Sequence, residues 1–191
     1  MNRIGLFFGT FDPIHVGHEA IAEFFLKNHF DEIWFVVTPM NPDKVEKGVS
    51  DENVRLEMIE DFCSTNNNYT CCDIELKLKK PNYTSDTLHE IYKKYGKKNF
   101  SIIMGEDNLL TLHTWKNYEF ILEHKIYVYP RFNELNEKAN LMSHKNVIIS
   151  DAPMVRMSSS NIREKVKSGH SIKKMVSERI ENFIISRGIY S

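Results

Sequence analysis

His15 and His18 stand three residues apart in the run Gly9-Thr10-Phe11-Asp12-Pro13-Ile14-His15-Val16-Gly17-His18. Imidazoles donate hydrogen bonds, exchange protons near neutral pH or ligate metals. The metal reading fits poorly. The stretch His18-Glu19-Ala20-Ile21-Ala22 lacks the second histidine of a zinc-protease helix, and Gly17 sits where the inverted motif needs a glutamate. No Cys-x-x-Cys is present. Anion chemistry fits better, for a positional reason. Residues 4–8 are an uncharged apolar run that reads as a buried parallel strand, and Ala20, Ile21, Phe24 and Phe25 recur at helical spacing. The histidines therefore lie where a strand turns into a helix, at the edge of an α/β sheet where ligands bind. Gly9 is expected to let a ligand approach the backbone, Pro13 to stiffen the turn, and Gly17 to leave room between the imidazoles. The first amides of the helix are expected to attract an anion.

A second polar group occurs late in the chain, in Ser158-Ser159-Ser160-Asn161-Ile162-Arg163. One serine suffices to cap a helix. Three hydroxyls followed by a guanidinium one turn on also suit a polyphosphate. Gly105-Glu106-Asp107 ends another apolar run, and Asp107 could cap a helix or accept hydrogen bonds from a ribose. Trp34 lies inside a strand and is expected in the core. Trp115 lies among His113, Thr114, Lys116 and Asn117, where an indole offers a flat face for stacking a pyridine or a base. Lys44 and Arg131 each follow a strand end and are candidate cations at the ligand edge. Arg55 reads as a helix-surface residue with Asp51 as an ion-pair partner.

The elements that must carry these residues alternate along the chain. Strands are predicted at residues 4–8, 33–37, 70–78, 100–104, 125–129 and 147–149. Helices are predicted at residues 16–28, from Ser50 or Asp51 past Cys63, at 84–95, after Asp107, at 118–122, 158–167 and 176–187. Residues 40–50 form a loop, and the strand at 70–78 is placed near a sheet edge because its polar and apolar residues alternate. The pattern predicts a single domain, 1–191: a doubly wound, Rossmann-like parallel sheet with helices on both faces.

A formal net charge of −1, from 25 basic and 26 acidic residues, gives no basic surplus for a nucleic-acid partner. Three cysteines, two of them adjacent, do not make a disulfide framework, so a reducing, cytoplasmic setting is expected. No apolar run reaches the roughly 18 residues of a membrane span, and residues 1–8 lack the pattern of a signal peptide. The sequence leaves a homo-oligomer open.

The run 9–18 resembles the signature of the nucleotidyltransferase family, Gly-x-Phe-x-Pro-x-His-x-Gly-His, with every position filled. Residues 157–163 resemble its second signature, Ile-Ser-Ser-Thr-x-Ile-Arg, with Met157 for the isoleucine and Ser160 for the threonine. The stretch from Gly105 to Trp115 is similar to the Gly-x-Asp followed by Leu and Trp of nicotinate-nucleotide adenylyltransferases, Glu106 replacing a small residue. Tyr83-Thr84-Ser85-Asp86-Thr87 resembles their Tyr-Thr-x-Asp-Thr.

The resemblance implies adenylyl transfer from ATP to nicotinate mononucleotide, giving deamido-NAD and pyrophosphate by direct in-line attack. It implies His15 and His18 as catalytic donors to the α-phosphate, and Gly9, Thr10, Phe11, Asp107, Ser159, Ser160 and Arg163 around ATP. It implies Trp115 over the nicotinate ring and helix-start amides near Thr84 on its carboxylate, with Lys44 and Arg131 also on the acceptor side. Magnesium would arrive on the ATP phosphates. Two rivals stay open at this point. One is an adenylyltransferase for phosphopantetheine, which usually carries a threonine where His15 stands. The other is a non-enzymatic nucleotide-binding regulator.

Overall fold

The computed structural model describes residues 2–39, 50–131 and 140–191. Six strands form one parallel sheet in the order β3-β2-β1-β4-β5-β6. They are β1 (Arg3–Gly9), β2 (Glu32–Val37), β3 (Tyr69–Cys72), β4 (Asn99–Gly105), β5 (Ile126–Tyr129) and β6 (Val147–Ile149). The helices are α1 (Val16–Asn28), α2 (Glu52–Cys63), α3 (Thr84–Tyr95), α4 (Glu106–Thr111), α5 (Tyr118–Ile121), α6 (Ser159–Lys167) and α7 (Glu178–Ser186). This is the doubly wound arrangement that the alternation of elements predicts.

The strands are mostly apolar because both faces of the sheet are covered. Successive side chains point to opposite faces, so one strand feeds two cores. Phe7, Ile33 and Phe35 join Phe25, Ile59 and Ile184 on one face. Ile4, Leu6, Trp34 and Val36 join Leu88, Ile91 and Leu109 on the other. Trp34 is buried, as expected, and its indole N–H donates to Glu32.

The winding reverses between β1 and β4. The chain first runs outward from β1 through β2 to β3, then returns to pair β4 on the other side of β1. At such a switch point the crossovers diverge and leave a crevice at the carboxyl ends of the two strands. Gly9 and Gly105 end β1 and β4 there.

One local expectation is corrected. The stretch 70–78 is not one strand: β3 ends at Cys72, and Ile74–Lys77 form a 3-10 turn. Its alternation reflects Glu75 turned inward, held by groups at the start of α3, rather than a solvated strand face. The edge position of β3 agrees with the prediction. Of the two caps expected for α2, Ser50 or Asp51, Asp51 takes the position, accepting from the Asn53 amide at 2.9 Å. Lys44 and the rest of the loop expected at 40–50, apart from Ser50, fall outside the described residues.

Candidate active site

The turn after β1 is built on a backbone that only its packing can hold. Phe11 has φ of 48°, a region unfavourable for a bulky residue by about 1–3 kcal/mol. Its ring is 1% exposed and packs edge-on against Phe7, Phe35 and His18. A Cβ at Gly9 would lie 2.8 Å from that ring. Gly9 therefore makes room for Phe11, where the sequence suggests room for a ligand. Gly17 likewise makes room for Val155, which a Cβ would meet at 2.5 Å, and for the His15 ring at 3.0 Å.

His15 is the N-cap of α1. Its Nδ1 accepts from the His18 amide, and His18 Nδ1 accepts from the His15 amide, each at 3.3 Å. The rings stack with centroids 3.7 Å apart. A nitrogen that accepts carries no proton, so each neutral ring bears its hydrogen on Nε2. Burial holds the His15 imidazole down to about 4, and the positive charge of Arg131 adds to this. Burial, His15 and Arg131 hold His18 well below its ordinary value. At neutral pH the pair thus presents two neutral Nε2–H donors. The helix start itself is more engaged than expected. The Val16 amide donates to Met175 O at 3.0 Å, and those of His18 and Glu19 donate to His15.

Asp12 is the hub beneath the turn. Its buried carboxylate accepts from the Ser50 amide at 3.0 Å, from the Ser50 hydroxyl, and from the Tyr190 phenol at 2.6 Å. It also pairs with Arg163 at 3.6 Å. Arg163 Nη1 donates to Asp12 O at 2.8 Å, and its Nη2 donates to Ser160 Oγ at 3.3 Å. Ser158 caps α6, and Ser159 donates to Pro13 O at 3.0 Å. The three serines are thereby divided: one cap, one tie to the signature turn, one beside the guanidinium.

Arg55 corrects the sequence reading. It is 1% exposed, and it donates to the carbonyls of Ser50, Thr10, Thr38 and Pro39 at 2.7–3.2 Å. It fastens α2 to the ends of β1 and β2 rather than pairing on the surface with Asp51.

After β4, Gly105 is the N-cap position of α4, so Asp107 is not the cap. Asp107 lies 3.7 Å from Arg131 Nε, and its buried Oδ1 makes no hydrogen bond. Arg131 Nη2 donates to the Tyr129 hydroxyl at 3.0 Å.

Two adjoining cavities result. In the first, of about 160 Å³, Gly9, Thr10, Phe11, His15 and His18 face Asp107, Ser159, Ser160 and Arg163. Arg131 lines this cavity rather than the one holding Thr84 and Trp115, with which the sequence groups it. The second cavity, of about 310 Å³, lies between Trp115, Tyr83 and Thr84 at the start of α3. Gly9, Thr10 and Asn108 line both. The α3 start has no side-chain cap. Trp115 is half-exposed, its indole N–H donating to Thr111 Oγ1 at 3.3 Å.

Sequence reasoning missed Glu75, which lines the second cavity and is 2% exposed. Thr87 donates to its Oε1 at 2.8 Å, and Asn82 Nδ2 donates to its carbonyl at 2.8 Å. Burial pushes the carboxyl up to about 7, against the lowering effect of the Thr87 and Thr38 hydroxyls. Glu75 Oε2 and Asn82 Oδ1 are buried without hydrogen-bond partners. No local signal sets it apart, because Asp73 and Lys77 share its place in the alternation of polar and apolar residues.

A parallel sheet wound about a β1/β4 switch point, with paired imidazoles at the start of α1, is a nucleotide-binding type of α/β fold. The chain belongs to the cytidylyltransferase-like family, whose profile matches residues 6–165. It is 44% identical over 190 residues to a Flavobacterium johnsoniae protein named "probable nicotinate-nucleotide adenylyltransferase", covering 98% of each chain. It is 44% identical over 191 residues to a Cytophaga hutchinsonii protein of the same name, covering 99% of this chain and 98% of the relative. In fold it is similar to Plasmodium falciparum nicotinic acid mononucleotide adenylyltransferase complexed with NaAD. That match has a TM-score of 0.77 and 19% identity, over 100% of this chain and 98% of that one.

Proposed function

We propose that this chain transfers the adenylyl group of ATP to nicotinate mononucleotide, giving deamido-NAD and pyrophosphate, as a cytoplasmic step in NAD biosynthesis by one domain. The observation that carries the reading is the pair of cavities meeting at Gly9 and Thr10, one lined by donors and cations, the other by an indole and an uncapped helix start. The names and extent of the relatives support it.

The acceptor's 5′-phosphate is ionised at neutral pH, so attack needs no general base. Its oxygen bonds to the α-phosphorus of ATP as the bond from that phosphorus to the bridging oxygen breaks, and pyrophosphate leaves with the electron pair. The barrier lies in bringing two anions together and in charge on the transferring group. His15 and His18 are proposed to donate from Nε2 to the α-phosphate oxygens. Burial favours neutral imidazoles here, each with its Nε2–H left to donate because Nδ1 is engaged by the backbone. Thr10 and Phe11 offer backbone amides. Ser159, Ser160 and Arg163 hold the departing pyrophosphate, and Asp107 takes the ribose. Arg131, beside both histidines, sits where the two phosphates converge, and Lys44 is proposed as a further cation for the acceptor. Trp115 stacks on the pyridine ring, and the open amides at Thr84 take its carboxylate.

Among the described residues no group of three His, Cys, Asp or Glu side chains could enclose a metal ion. Magnesium would enter on the triphosphate and neutralise its charge there. Among the described residues no helix is long and apolar enough to cross a membrane.

The test is pyrophosphate release with ATP and, in turn, nicotinate mononucleotide, nicotinamide mononucleotide and phosphopantetheine. Fastest turnover with nicotinate mononucleotide is expected. Turnover with phosphopantetheine alone, or with none, overturns the reading.

A further inference from the structure

We propose that Glu75 discriminates between acceptors bearing a carboxylate and those bearing a carboxamide on the pyridine ring, through the unpartnered oxygen of its side chain. The inference rests on the proposed reaction and deepens it. Glu75 lines the cavity between Trp115 and the α3 start; the Thr87 hydroxyl donates to its Oε1 at 2.8 Å, and the Thr38 hydroxyl beside the carboxyl also favours its charged form. The other carboxyl oxygen, Oε2, is buried without a hydrogen bond. A buried carboxyl oxygen without a hydrogen bond, on a residue that lines a ligand-sized cavity, is a site for a bond that the empty protein does not make.

Which bond it makes depends on its proton. As a neutral acid, Glu75 donates to a carboxylate and leaves the ligand's charge unopposed. As a carboxylate, it accepts from a carboxamide N–H and repels a second carboxylate across a cavity of low dielectric. The same side chain therefore favours the acid acceptor at low pH and the amide acceptor at high pH. Its titration near neutral pH places that reversal within the working range of an enzyme.

The surrounding groups are engaged by partners other than Glu75. From β3, the Cys72 thiol is pushed up to about 11 by burial and stays neutral. From α3 and the stretch before α5, Asp86 and Lys116 pair at 2.8 Å, so their charges offset each other at the rim. His89 on α3 bonds Ser85 O and stacks on Phe120, with centroids 4.3 Å apart. From α2, Arg55 is engaged by the carbonyls of Thr38 and Pro39. Tyr83, at the N-cap of α3, carries Lys116 over its ring at 4.9 Å. Among the described residues no cation pairs with Glu75.

The measurement is the ratio of kcat/KM for nicotinate mononucleotide to that for nicotinamide mononucleotide, at about pH 5.5 and about pH 8.5, on either side of the carboxyl's titration. Titrations shared by the two acceptors, those of their phosphates and of the histidines, cancel in the ratio. The wild-type ratio is expected to fall by about tenfold or more between the two pH values. Glu75→Gln keeps the shape and a donor but cannot ionise, so its ratio is expected to be flat. A wild-type ratio that does not change with pH overturns the inference whether or not the variant folds. A folded Glu75→Gln enzyme whose ratio follows the wild-type curve also overturns it. Turnover of neither mononucleotide overturns the proposed reaction and this inference together, whereas turnover with a flat ratio overturns this inference alone.

Discussion

The starts of α1 and α3 face the same edge of the sheet and are finished in opposite ways. At α1 the histidines cap the helix themselves: their Nδ1 atoms take backbone hydrogens, and the Val16 amide donates to Met175 O. What remains for a ligand is side chain, two Nε2–H groups. At α3 no side chain caps the helix. What remains there is backbone, framed by Trp115 on one wall and Glu75 on another. A strong motif at a helix start thus does not mean that the helix start is open. The histidine motif closes one N-terminus to fix two rings, and a plainer Tyr-Thr sequence leaves the other open.

Four measurements would break or sharpen that contrast. The largest effect is expected from His18→Ala. If the α1 side chains act on charge that develops in the transition state, kcat should fall by about 10²–10³-fold, while ATP still binds by calorimetry. Losing the reciprocal cap should cost only about 1 kcal/mol, so circular dichroism should show a folded protein. A folded variant that keeps more than about a tenth of wild-type kcat would remove His18 from the chemistry.

The next effect is on stability. The His15 imidazole is held down to about 4 from 6.5. The unfolded chain therefore binds its proton at a higher pH than the native one does. Stability is full above 6.5 and is lost as pH falls from 6.5 toward 4, by about 3 kcal/mol. Melting temperatures across that window should fall more steeply for wild type than for His15→Asn, which keeps a capping oxygen. Parallel slopes would mean that the ring is not held neutral by its surroundings.

Trp115→Ala addresses the α3 side. Losing the stacked ring should weaken acceptor binding by about 1–3 kcal/mol and leave ATP binding nearly unchanged. Equal losses for both substrates would show that the two cavities do not divide the substrates between them.

The smallest effect is expected from Tyr190→Phe. It deletes the phenol that donates to Asp12 at 2.6 Å and should cost about 1 kcal/mol of stability. Because Asp12 also pairs with Arg163, the KM for ATP should rise more than the KM for the acceptor. A Tyr190→Phe protein with both constants unchanged would limit the phenol to a structural role.

The sheet was legible in the sequence because a strand buried on both faces has to be apolar, as residues 4–8 and 33–37 are. The histidine turn and the serine-rich helix start were legible because their residue types are unusual for a turn and for a cap. Arg55 was not, because its helical spacing beside Asp51 matches a surface pair. Nothing local announces that four carbonyls from three segments converge on it. Glu75 was hidden by alternation, which looks the same for a residue turned to solvent and one turned to a cavity. The cavity that Arg131 lines was not legible for a related reason: position after a strand end gives the edge of the sheet, not the side of the switch point.

The props of the signature turn have an unusual origin in the chain. Pro13 is tied to Ser159, the Asp12 carbonyl to Arg163 and the Asp12 carboxylate to Tyr190, across separations of 146, 151 and 178 residues. A ribosome delivers residues 9–18 early and these partners more than a hundred residues later. Long-range ties of this kind also form slowly. The strained Phe11 turn and the stacked imidazoles therefore have to wait, incomplete, through most of synthesis. A nascent chain would carry the motif long before it could hold ATP, and competence would arrive in one late step, when the segment from Ser159 to Tyr190 docks.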